Sequence, residues 1–453
     1  MAASTTDPLS LELNSRRDWH LHVWRLSWPV ILANVTIPMV GLVDVFVMGR
    51  DPNPDYIAAV ALGAAMFSAV YWLFGFLRMG TTGLTAQAYG RNAISELEAI
   101  FHRALFIAAL LGLLIILGQW PLKSMLFALF DPSADIGALA LTYYDIRVWG
   151  APGLLIHLVE LGVLFGLQRM DYTLILSIGL NVTNIILDYV FVLVFDLDVF
   201  GVALGTVISE WSAALLGFFL VRSAYGRHHT TKGSHRLLDK QALRQFFSLS
   251  SNLVLRTFFV QLPFFAGTVL ATQIGDLTLA LHGVLMQLFF LMTYSLDAFA
   301  HTAESLTGYF YGAKNPVNLR RASIYSSAWG FLLAIVTGLA FLIFGADFVA
   351  IMTVAPEIQN MAHEYMPWLA LAPIFCVWAF LLDGIFIGTT HIRAMRNAMF
   401  LSALLWAIVL LLTFDAWQYH AVWLCMNLFM LTRALLLFRS YPQIERAAAN
   451  TAL

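Results

Sequence analysis

Only two cysteines occur in the 453 residues, Cys376 and Cys425. Both stand in apolar runs, which leaves no basis for a disulfide framework or a cysteine metal site. Charge is equally scarce. Lys, Arg, Asp and Glu make up 11% of the chain, where a soluble domain carries roughly 25%. So few charges cannot wet the surface of a water-soluble protein of this size, so the missing solvent contact must be lipid. The net charge of −2 offers no attraction to nucleic acid. The first 20 residues hold neither an apolar core nor a small-residue cleavage site. No signal peptide is therefore expected, and the first apolar run is retained as a helix. No HExxH, Walker loop, GxGxxG or GxSxG is present, so nothing points to ATP hydrolysis, dinucleotide binding or a standard hydrolase. Neither an enzyme nor a cofactor is expected.

What the chain has is apolar length. Hydrophobic residues make up 60% of it, and its mean hydropathy is +0.78. Runs of roughly 20 apolar residues, long enough to cross a bilayer, recur throughout. They predict spans at 24–49, 58–88, 101–121, 138–167, 173–195, 201–222, 247–272, 279–311, 323–345, 366–389, 399–414 and 419–438. The expected fold is an all-α membrane protein with twelve transmembrane helices. Lys and Arg orient it: of 25, 20 fall on one side, with Arg50, Lys123 and Arg147 opposite and Arg78 and Arg256 inside spans. The rich side is cytoplasmic, which puts both termini in the cytoplasm.

The polar stretch 223–246 divides the chain near its midpoint. LTAQAYGRN at 84–92 matches LTGYFYGAKN at 306–315, an offset of 222. Phe165-Gly166 faces Ile387-Gly388 at the same offset of 222. Two matches at one offset imply a duplicated six-helix unit, here an N-lobe (1–222), a linker loop (223–246) and a C-lobe (247–453). Because six is even, both copies share one orientation, and a pseudo-twofold axis runs along the membrane normal. A transport path between the lobes is the natural expectation.

Ionisable side chains are costly in lipid and each needs a reason. Helix 1 carries Asp44, about six residues from its outer end, and helix 5 carries Asn181, Asn184 and Asp188 on one face. Counting inward from the outer ends at about 1.5 Å per residue, Asp44, Tyr143, Asp188 and Thr206 share one layer roughly 8–10 Å deep. Two carboxylates in one dry layer cannot both stay charged cheaply, so one takes a proton or a cation binds between them. Bridging helices by hydrogen bonds is the plainer role, and for Tyr143 and Thr206 the two readings weigh equally. Pro38, six residues before Asp44, permits a bend beside a titratable group, or serves packing alone. In the second half, Asp297 and Glu304 share a face with His301, and Asp383 lies two spans later. These acids, with Asn181, are candidates for a substrate cavity that attracts cations; structural roles or pairing with Arg256 are equally open. Glu160 and His157, near Arg78, are a candidate buried cluster.

Four segments carry a family resemblance: LSWPVILANVTIPMVGLVDVFVMGR (26–50), FLRMGTTGLTAQAYG (76–90), NVTNIILDYVFV (181–192) and LLDGIFIGTTHIRAMRNAM (381–399). Together they resemble the multidrug and toxic compound extrusion (MATE) family, and within it the DinF branch of bacterial members. The resemblance implies an antiporter in the bacterial inner membrane, expelling amphipathic or cationic compounds as H⁺ or Na⁺ enters. It implies that Asp44, Tyr143, Asn184, Asp188 and Thr206 form the cation or proton site, with helix 1 bending on protonation. A monomer among membrane lipids is expected, and protons are the favoured coupling ion. The competing functions are a lipid-linked saccharide flippase, disfavoured by the predominance of embedded acids, and a membrane enzyme or sensor without transport.

Overall fold

The computed structural model describes residues 13–48, 54–225 and 239–450, without the side chains of 37–42, 44–46, 54 and 450. Every regular element among them is helical. In chain order these are α1 (Arg16–Met48), α2 (Asp55–Gly90), α3 (Ile94–Leu117), α4 (Gln119–Phe130), α5 (Ala134–Gly166), α6 (Met170–Val194) and α7 (Asp198–Tyr225). Then follow α8 (Lys240–Ile274), α9 (Asp276–Gly312), α10 (Pro316–Met352), α11 (Pro356–Gly388), α12 (Ile392–Trp417) and α13 (Tyr419–Asn450). Eleven of them, α2, α3 and α5–α13, are long and apolar enough to cross a membrane among the described residues. The helices extend beyond the predicted apolar cores because their polar end turns continue the hydrogen-bond ladder into the interface. Helix α4, only 12 residues long, is too short to span and was not predicted.

Two compact units form. One comprises Pro29–Tyr89 and Ala93–Phe246, the other Met1–Trp28, Gly90–Asn92 and Phe247–Leu453. The start of α1 thus packs with the C-terminal helices: Trp19 stacks on Tyr325 with centroids 5.6 Å apart, and Ser27 shares a 2.8 Å hydrogen bond with Thr302.

The duplication is legible in backbone detail. Left-handed residues close helices at Asn92 and Lys314, at Gln168 and Thr390, and at Asp196 and Gln418. Each pair repeats at the 222-residue offset read from the sequence. Capping bonds repeat too: Ala93 N–H donates to the Ala88 carbonyl, and Asn315 N–H to that of Phe310, at 3.0 and 2.9 Å. Gly162 lies against the Arg78 backbone and Gly384 against that of Ala300, where no Cβ fits. The repeat therefore fixes helix ends and helix–helix approach alike.

Candidate functional site

Helices α6 and α7 assemble the core of the predicted layer. Asn184 and Asp188, one turn apart on α6, are both buried. The Asn184 amide donates from Nδ2 to Thr206 Oγ1 at 3.4 Å, and Thr206 donates to the Val202 carbonyl at 2.9 Å. The Asp188 carboxyl rests on the bare Cα of Gly205, beside Thr206, where an added Cβ would collide with Oδ1. Asp188 and Thr206, which the depth count puts in one layer, thus lie on neighbouring turns of α6 and α7, and Asn184, read on the same face as Asp188, bonds to Thr206. Tyr143 on α5 is buried too, its ring filling the space that Gly63 leaves on α2.

Immediately after Asp188 the α-helix gives way to a π-turn, Tyr189–Val194. Such a turn carries one residue more than the α-ladder accommodates, and it recurs at functional sites. Its residues carry no sequence signature, so sequence reasoning missed it.

Asp44 and Pro38 lie on α1, but their side chains fall outside the described residues. Nearby Thr36 is described. Its Oγ1 accepts a 2.6 Å hydrogen bond from Asn181 Nδ2. Asn181, a candidate for the substrate cavity, is here a bridge between α6 and α1.

A second finding corrects the charge reading. Arg147 belongs not to an outer loop but to the interior. Its Nη1 and Nη2 donate to Glu210 Oε2 and Oε1 at 2.7 and 2.5 Å, and its guanidinium faces the Phe67 and Tyr71 rings at 5.3 and 5.4 Å. A bidentate carboxylate is what permits a guanidinium to remain in the apolar interior. Glu210 was not singled out from the sequence, though a signal existed. Arg147 follows Tyr143 by four residues and Glu210 follows Thr206 by four, so the pair lies one turn along the same faces.

In the other unit, Asp383 on α11 is clamped by Arg256 of α8 and Arg433 of α13, and all three are buried. Arg433 therefore leaves the cytoplasmic set, for the same reason as Arg147. Arg256 pairs with Asp383. On α9, Glu304 is buried with its Oε2 3.3 Å from His301 Nδ1, and Asp297 is half-buried. Of the candidate cluster, Glu160 and His157 are both buried, neither Glu160 oxygen has a hydrogen-bond partner, and Arg78 lies over the Phe165 ring at 5.6 Å. Among the described residues no group of three or more His, Cys, Asp or Glu is arranged to hold a metal ion.

Comparison with known proteins shows the family. The MatE family model matches the chain twice, over residues 29–190 and 253–412, one match in each half of the repeat. The chain belongs to the multidrug and toxic compound extrusion family. Within the family it is 35% identical to the DNA damage-inducible protein F of Escherichia coli (strain K12), over 91% of this chain and 90% of that one. It is also 26% identical to the probable multidrug resistance protein NorM of Idiomarina loihiensis, over 78% of this chain and 76% of that one. The crystal structure of the Vibrio cholerae MATE transporter VcmN in its bent form shares the fold, with a TM-score of 0.84 at 16% identity, covering 95% of this chain and 98% of that one. This chain is therefore a multi-pass membrane transporter of the MATE family with the DinF protein among its relatives.

Proposed function

We propose that this MATE transporter is a proton-coupled antiporter that exports amphipathic or cationic small molecules across the bacterial inner membrane. The observation that carries the reading is the burial of Asp188 on Gly205, beside the Asn184–Thr206 pair and at the start of the π-turn. Asp188 and Asp44 take up the proton, with Tyr143, Asn184 and Thr206 completing the site. Protonation is coupled to bending of α1 at Pro38, and Asn181 carries the change from α6 to α1 through Thr36. Alternating access then requires only that the protonated and substrate-bound states prefer different conformations. The name of the NorM relative supports the substrate class, and the Lys and Arg asymmetry supports cytoplasmic termini. The two lobes divide between the helices α7, which ends at Tyr225, and α8, which begins at Lys240. No catalytic group, cofactor or nucleic acid enters the cycle, and one chain suffices.

A sodium-coupled version uses the same residues, and the neutral oxygens of Asn184 and Thr206 favour keeping it in view. The deciding experiment is efflux of a fluorescent organic cation from proteoliposomes under an imposed pH gradient and, separately, a sodium gradient. Wild type, Asp44→Asn and Asp188→Asn are run together. Efflux that follows the pH gradient and is lost in both variants is the expected result. Efflux under sodium alone would replace the ion and retain the site. No gradient-driven movement of any cation would overturn the transport reading and revive the saccharide-lipid flippase.

A further inference from the structure

On the surface of the first unit, α3, α5 and α7 form an open, groove-like cavity of about 450 Å³. Phe106, Trp211, Leu215 and Phe218 rim it and are exposed. On membrane-crossing helices such side chains face lipid. Ile156 and Ala214 add apolar wall, and the one ionisable lining residue is Glu160. Glu160 is fully buried, and neither carboxyl oxygen finds a hydrogen-bond partner. Its carboxyl is seated against the bare Cα of Gly217, where an added Cβ would strike Oε2. The indole N–H of Trp211 is already used, donating to the Trp149 carbonyl at 3.1 Å.

The second half of the repeat shows how this scaffold satisfies a buried acid at nearly the same place. At the 222-residue offset, Glu160 corresponds to Leu382, the neighbour of Asp383, and Trp211 corresponds to Arg433. Arg433 reaches from α13 to pair with Asp383. In the first half the acid stands one position earlier, Leu161 occupies the place of Asp383, the arginine is a tryptophan, and an open groove lies beside them. Leaving a carboxylate in apolar surroundings without a cation is costly. Apolar walls with a single placed polar group are the ordinary make-up of a small-molecule site.

We propose that this cavity is a lateral binding site for lipophilic amines that partition into the bilayer. The ammonium pairs with Glu160, and the apolar body lies among Phe106, Trp211, Leu215 and Phe218. The site is separate from the Asp188 cluster and does not rest on the coupling reading.

The test is photolabelling of the full chain in lipid nanodiscs with an octyl-chain tertiary amine carrying a diazirine, followed by peptide mapping. Its neutral amide analogue is run in parallel. The wild type should label on 105–109 or 211–218, at least tenfold more with the amine than with the amide. Glu160→Gln should remove that preference. Trp211→Arg, which restores the arginine of the other half, should remove it as well, whereas Trp211→Phe should keep it. Melting temperatures of the purified variants show that each is folded. Labelling by amine and amide alike, retention of the amine preference in folded Glu160→Gln, or no labelling of these segments would each overturn the proposal. Loss of proton-driven efflux in the liposome experiment would leave this result untouched.

Discussion

The two halves of the repeat hold their buried polar groups at different places and by different means. At the 222-residue offset, Asn184, Asp188 and Thr206 stand opposite Trp406, Leu410 and Leu428, while Asp383 and Arg433 stand opposite Leu161 and Trp211. The helix ends and close glycine contacts survive duplication, and the chemistry does not. In the first half an acid sits among an amide, a hydroxyl and a bare glycine. In the second an acid is gripped by two guanidiniums. A carboxylate between two arginines is committed to holding α8, α11 and α13 together. The coupling role we propose is placed on the acid that adjoins the amide and the hydroxyl.

That contrast can be broken most forcefully at Asp383. Asp383→Ala leaves two buried guanidiniums without a counter-charge. Removing one partner of a buried pair costs about 3–5 kcal/mol, and here two pairs are lost, so a steep fall in the melting temperature of detergent-purified protein is expected. Arg147→Met tests the analogous bond in the first half. It should destabilise by about 3–5 kcal/mol because Glu210 is left buried alone, and Arg147→Met with Glu210→Leu should recover most of the loss. Recovery in thermal melts, with efflux still impaired, would show that the pair also positions Tyr143 and Thr206. Gly205→Ala sharpens the picture at the acid itself. Its methyl group intrudes on the Asp188 carboxyl, with an overpacking cost of about 1–3 kcal/mol and a larger relative loss of efflux than of stability. The smallest effect belongs to Asn181→Ala, which removes one hydrogen bond to Thr36 at about 0.5–1.5 kcal/mol. Proton-driven efflux should slow, and unchanged efflux would remove Asn181 from the coupling route.

How much of this was readable without coordinates differs by feature. The helices and the repeat were, because apolar length and a fixed offset are properties of the string of residues. The nearness of Asp188 to Thr206 was, because rise per residue turns sequence position into depth, and Asn184 followed from its helical spacing to Asp188. Arg147 and Arg433 were misplaced because a charge near a helix end looks the same in sequence whether it meets water or a buried carboxylate. Their partners, Glu210 and Asp383, lie 63 and 50 residues away. Helix α4 escaped because 12 residues are too few for a hydropathy criterion tuned to a bilayer. The π-turn escaped because it belongs to the backbone.

That π-turn gives α6 a property usually described for crystals. Its extra residue is a dislocation in the hydrogen-bond lattice, and a dislocation moves by exchanging one bond at a time. Displaced one position along α6, it turns a single residue by about 100° relative to the helix on its far side. Asp188 stands at its edge, so one such step swings the carboxyl around the helix axis while the rest of the ladder stays closed. The same accounting says that deleting one residue from Tyr189–Val194 removes the defect and leaves an ordinary α-helix with Asp188 locked in register.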